Sequence, residues 1–158
     1  MTLKLYTLIH VIISLLGILS GFVVMAGMVN ADPMESWTKF FLWTTVLTSV
    51  TGFFFPFQRL MPSHIFGVIS LVVLAAAIYG RYSAHLAGGW GLTYVIGAIF
   101  AQYLNVFILV VQMFQKIPAL NKLAPTQKEP PFAVAQLVVL VAFIALGVLA
   151  AVRFSVNN

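Results

Sequence analysis

The chain contains no cysteine. That removes disulfides, thiolate nucleophiles, iron–sulfur clusters and zinc–thiolate sites together. Charge is nearly as scarce: charged residues make up 7% of the 158 positions, three acids against eight bases. A soluble domain carries roughly 25% charged residues, so this composition does not furnish a water-facing surface. The sequence also lacks a Gly-rich phosphate loop, an HExxH pair and a GxSxG elbow. No lysine lies mid-span and no acid lies inside an apolar stretch, which excludes a retinal-type Schiff base and disfavours a carboxylate proton relay. Ser14, Ser20, Ser49 and Ser70 have no base backed by a carboxylate, so serine hydrolysis has no support. No enzymatic activity is expected. Internal repeats and long linkers are missing as well, and residues 1–158 read as a single domain.

What remains is apolar: 62% of the chain, with a mean hydropathy of +1.08. Five stretches approach bilayer-spanning length, at about Leu5–Val29, Trp37–Phe55, Pro62–Tyr82, Leu92–Phe114 and Pro131–Val152. A hydrocarbon core of about 30 Å takes about 20 helical residues to cross. Backbone amides in lipid must be satisfied internally, which leaves helices or closed barrels, and the stretches lack the alternation of barrel strands. The expected fold is an all-α integral membrane protein, a five-transmembrane-helix bundle. Val29-Asn30-Ala31 resembles a signal-peptide cleavage site, but the preceding apolar run of about 25 residues exceeds a typical h-region, so it is expected to be a permanent helix.

Lys4, Arg59, Lys116, Lys122 and Lys128 fall on one side of such a bundle, and Lys39, Arg81 and Arg153 on the other. The positive-inside bias places the N-terminus in the cytoplasm and the C-terminus outside. Trp37, Trp90, Tyr79 and Tyr82 then gather near the outer boundary, where amphipathic rings prefer to sit. The net charge of +5 is scattered rather than clustered, which fits anionic lipid headgroups and not nucleic acid. Short loops and the lack of disulfides suit a bacterial inner membrane.

Three groups of residues are candidates for chemistry. His10 and His64 both fall near the cytoplasmic boundary. His10, Gly17 and Gly21 share a helical face, as do His64 and Gly67. A histidine pair beside a small-residue groove suits a b-type haem or a quinone, with Arg59 near the haem propionates. The competing account is close packing through Gly17-x-x-x-Gly21. The second group is an amide stripe, Gln102, Asn105 and Gln112, expected to meet a hydroxyl stripe, Thr44, Thr48 and Thr51. These are either interhelical glue or the lining of a polar pathway. The third group, Asp32, Glu35 and His85 with Arg81 nearby, offers two carboxylates and an imidazole. A local account covers both carboxylates: Asp32 as N-cap, Pro33 at N1 and Glu35 at N3 of the second helix. No metal site is expected. The Gln115–Pro130 connection reads as a solvated loop whose Lys116, Lys122 and Lys128 could contact anionic lipid or a partner.

Three functions follow as expectations. The first is an accessory or oligomerising subunit of a larger membrane assembly, as a homo-oligomer or with partner membrane subunits. The second is a haem- or quinone-binding redox module. The third is a small-solute channel or transporter lined by the amide stripe.

Overall fold

The computed structural model describes residues 1–56, 59 and 62–157. These form α1 (Leu3–Val29), α2 (Glu35–Gly52), α3 (Pro62–Ile78), α4 (Gly89–Lys116), α5 (Pro118–Leu123) and α6 (Pro130–Asn157). A π-helical turn, Tyr79–Ser83, extends α3, and no strand occurs among the described residues. Four helices are long and apolar enough to cross a membrane: α1, α3 with its π turn, α4 and α6. Helix α2 reaches 18 residues, but seven Ser and Thr, with Glu35 and Lys39, dilute its apolar content.

Contacts at both ends fix the direction of each helix. Tyr6 and His10 of α1 meet Thr51 near the end of α2. Phe53, just beyond α2, packs on His64 at the start of α3, while Glu35 meets Arg81 at the opposite end. Phe66 of α3 packs on Phe107 of α4, and Tyr79 on Trp90. Phe132 and Phe154 of α6 pack on Phe114 and Tyr94 of α4. Helices α1, α3 and α6 therefore run one way, and α2 and α4 the other. Sequence neighbours pack side by side, and α6 closes the ring against α1 through Phe143 and Phe22.

Of the four apolar helices α4 is the most enclosed and α6 the least. The core around α4 includes Val24, Met28, Phe41, Leu74, Tyr94 and Ala98. Lys4, Arg59, Lys116, Lys122, Lys128 and Glu129 lie at one end of the bundle, called here the Lys4 end. Asp32, Glu35, Lys39, Arg81 and Arg153 lie at the other, the Arg81 end.

Two expectations are corrected. Helix α2 does not open on an Asp32 N-cap. Its cap position is Met34, at φ 43 and without a side-chain hydrogen bond. The Asp32 carboxylate instead accepts from the Met34 N–H at 3.0 Å, an Asx turn that competes with helix initiation. Nor is the Gln115–Pro130 connection a plain solvated loop, because α5 occupies its first half.

Candidate functional site

The two histidines lie at the Lys4 end, among aromatic rings. His10 is half-buried, with Nδ1 2.8 Å from Thr51 Oγ1. When the Thr51 hydroxyl donates to Leu47 O, 2.6 Å away, its oxygen is left to accept from His10 Nδ1–H, the tautomer whose ring lone pair falls on Nε2. That tautomer suits an axial ligand. Space does not. Phe55 stands edge-on to His10 at 5.1 Å between centroids and is flanked by Tyr6. Phe53 lies against the buried His64 at 5.9 Å. It also fills the notch beside Gly67, where an added Cβ would come within 3.0 Å of Phe53 Cζ.

Gly17 and Gly21 are likewise occupied. A Cβ at Gly17 would stand 3.2 Å from Thr44 Oγ1, and one at Gly21 would collide with the Gln102 amide. A haem would have to displace the chain's own side chains from every small-residue notch assigned to it. These residues do not form an open macrocycle site in this conformation. Arg59 is exposed in the segment between α2 and α3.

The amide stripe turns toward other partners than expected. Gln102 is fully enclosed, and its Nε2 donates to Ile18 O of α1 at 2.7 Å. Asn105 Nδ2 donates to Thr45 Oγ1 at 3.4 Å, and Gln112 is half-buried. The Thr44, Thr48 and Thr51 hydroxyls do not bond to α4. Each donates to a carbonyl one turn back: Thr44 to Phe40 O, Thr48 to Thr44 O and Thr51 to Leu47 O. A Thr hydroxyl in a helix can reach its own i−4 carbonyl without a partner helix, so the spacing of these threonines does not assign them one.

The residues that do join helices include several missed from sequence. Ser49 Oγ lies 3.2 Å from Ser70 Oγ of α3. Gln136 Nε2 of α6 donates to Phe107 O of α4 at 3.1 Å. Within lipid each such bond contributes about 0.6 kcal/mol on average. Gln102 Oε1 and Gln136 Oε1 are buried acceptors without a hydrogen-bond partner among the described residues.

A charged cluster occupies the Arg81 end. The π turn widens the last turn of α3, and Arg81 points inward, its side chain 4% exposed. Its Nη2 donates to Glu35 Oε2 at 2.7 Å and to Pro33 O at 3.0 Å. The guanidinium lies 4.9 Å from the Tyr94 ring centroid and 5.7 Å from that of Tyr82, within cation–π range. Thr38 Oγ1 donates to the same Pro33 carbonyl at 3.1 Å. The sequence signal was available: an arginine in the final turn of an apolar span marks a site by default. Its neighbour His85 is exposed at φ 51, and Asp32 is held in its turn. Among the described residues no three His, Asp or Glu side chains converge as metal ligands.

In chemical terms the interior offers amides, hydroxyls, the His64 ring and the shielded Arg81 guanidinium, and of these Gln102, Asn105, Gln136 and Arg81 reach a neighbouring helix. No protein-family model, curated protein or solved structure matches this chain.

Proposed function

We propose that this chain is a non-catalytic membrane bundle acting as an accessory or oligomerising subunit of a larger membrane assembly. One observation carries the reading. Four interior polar side chains bond from helix to helix: Gln102 to α1, Asn105 to α2, Gln136 to α4 and Arg81 to α2. A bundle tied internally in this way has its exterior left for recognition. Helix α6, the least buried of the four apolar spans, turns Leu137, Val141, Ile144 and Val148 outward.

In this reading α2 is the fifth crossing. Helices α1 and α3 run parallel, so the segment between them must return across the bilayer, and six of its seven hydroxyls, all but that of the exposed Ser36, bond to backbone or to neighbours. The Lys4 end faces the cytoplasm and the C-terminus lies outside, by the positive-inside bias, in a bacterial inner membrane. Native mass spectrometry after mild extraction into nanodiscs tests the proposal. A stable oligomer or a stoichiometric membrane partner is expected, and an isolated monomer counts against it.

The redox alternative keeps one point in its favour, the His10 tautomer that leaves Nε2 as a ligand atom. It requires Phe53 and Phe55 to swing away. A Soret band lost in both His10→Ala and His64→Ala would establish it, and a colourless protein from haem-replete cells would end it. A solute pathway along Gln102 and Asn105 predicts liposome flux that falls in Asn105→Leu.

A further inference from the structure

The connection between α4 and α6 is folded back onto the bundle. Helix α4 ends at Lys116, Pro118 starts the short α5 after the extended Ile117, and Asn121 Nδ2 reaches back to Phe114 O at 3.2 Å. Ala124 is fully buried. Gln127 adopts a left-handed φ of 60, a costly conformation for a residue with a Cβ. Its side chain makes up for this with two bonds: Nε2 donates to Val111 O at 3.3 Å, and Oε1 accepts from Gln115 Nε2 at 3.4 Å. Val111 lies five positions before Lys116, roughly 8 Å along the α4 axis. The segment therefore climbs back beside the apolar part of α4 instead of extending into water.

The surface it presents is of two kinds. Ile117 and Leu123 are 41% and 55% exposed, next in sequence to the exposed Lys116 and Lys122, with the exposed Lys128 farther along. The local acid does not neutralise them. Glu129 accepts from the Thr126 hydroxyl at 2.8 Å and from the Thr126 and Lys128 backbone N–H groups. The ion pairs among the described residues, Glu35 with Lys39 and with Arg81, lie at the other end. Exposed Lys4 and Arg59 share the Lys4 end, so five of the chain's eight bases stand there against one of its three acids.

We propose that this folded segment is a docking surface for anionic diacyl lipid. Ile117 and Leu123 enter the boundary between headgroups and acyl chains, and Lys116, Lys122 and Lys128 hold lipid phosphates. Apolar side chains interleaved with lysines are the pattern of interfacial segments, and lysine stems let the ammonium reach headgroups while the methylenes stay in lipid. The hydrogen bonds of Asn121 and Gln127 hold the segment in place before lipid arrives, so little conformational freedom is lost on binding. The inference rests on the membrane-embedded reading above but not on the existence of a protein partner.

The test uses the full chain in mild detergent, with its thermal unfolding midpoint followed as lipid is added. Phosphatidylglycerol should raise the midpoint; phosphatidylcholine and inorganic phosphate at the same concentration should not. Each cation near an anionic surface is worth about fivefold in binding. The triple variant Lys116→Gln, Lys122→Gln, Lys128→Gln should then need at least about tenfold more phosphatidylglycerol for the same shift. Its midpoint in phosphatidylcholine should match the parent, which separates lost lipid binding from lost folding. Leu123→Ser should weaken the response with the lysines intact, and about 0.5 M NaCl should suppress it by screening. Equal shifts with the two lipids, or an unaltered response in the triple variant, would overturn the proposal. A shift with inorganic phosphate alone would replace it with a simple ion site.

Discussion

Gln102 and Gly21 form one contact at the centre of the bundle. The amide group occupies the space where a Gly21 side chain would stand, and its N–H holds the Ile18 carbonyl. Gly21→Ala should therefore push the amide off that carbonyl and overpack the helix crossing, at a cost of about 1–3 kcal/mol. Adding Gln102→Ala should recover part of the loss, giving a coupling that a double-mutant cycle on unfolding in detergent can read. Purely additive effects would mean the two residues do not share the site. At the Arg81 end, Glu35→Ala leaves a shielded guanidinium with only the Pro33 carbonyl and two rings. A charged hydrogen bond is worth about 1.5–3 kcal/mol, and the lower end is expected because Glu35 itself is 58% exposed. The same unfolding assay checks it; a loss below about 0.5 kcal/mol would put the pair among ordinary surface ion pairs. The amide face of α4 was legible from spacing. Its partner was not, because the threonine hydroxyls of α2 can bond to their own helix.

The elements were legible in unequal measure. Long apolar runs set the existence of α1, α3, α4 and α6 from composition alone. The start of α2 was misplaced, because Asp32-Pro33 reads equally as a helix cap or as the Asx turn that forms. The inward turn of Arg81 depends on a π turn for which the spacing of apolar residues gives no sign. In the α5–α6 connection, burial opposes ionisation of Glu129, but hydrogen bonds from Thr126 and the Lys128 backbone hold its carboxyl below the usual range. A lowered value means the carboxylate supports the turn above the ordinary carboxylate range and loses that role as pH falls through the lowered one. Amide exchange at Thr126 and Lys128 should therefore speed up at acidic pH beyond its intrinsic dependence. Glu129→Gln should abolish that step; a step that persists would assign it to another group.

For the whole molecule, sequence sufficed for a helical bundle with its cations divided between two ends, and fell short on the number of crossings. The threonine-rich α2 is where composition and geometry part: its residues are too polar to signal a span, yet it lies antiparallel between two helices that do. The missing cysteines allow a direct check, since single thiols can be introduced on a silent background. Ser36→Cys and Arg59→Cys flank α2 and should react with an impermeant maleimide from opposite sides of the membrane, with Lys122→Cys matching Arg59→Cys. Labelling of Ser36→Cys and Arg59→Cys from one side would place α2 on the surface and reduce the crossings to four.

The Gln102–Ile18 bond joins positions 84 residues apart, and that separation has a consequence for biosynthesis. Once α2 has left the ribosome, Tyr6 and His10 of α1 can bond to Thr51, but the notch at Gly21 has nothing to receive, and the middle of α1 lacks its mark against tilting, until α4 emerges. Nascent chains halted before Gln102 should then hold α1 loosely and be open to quality-control proteases, and insertion of α4 should be the event that locks the earlier helices into register.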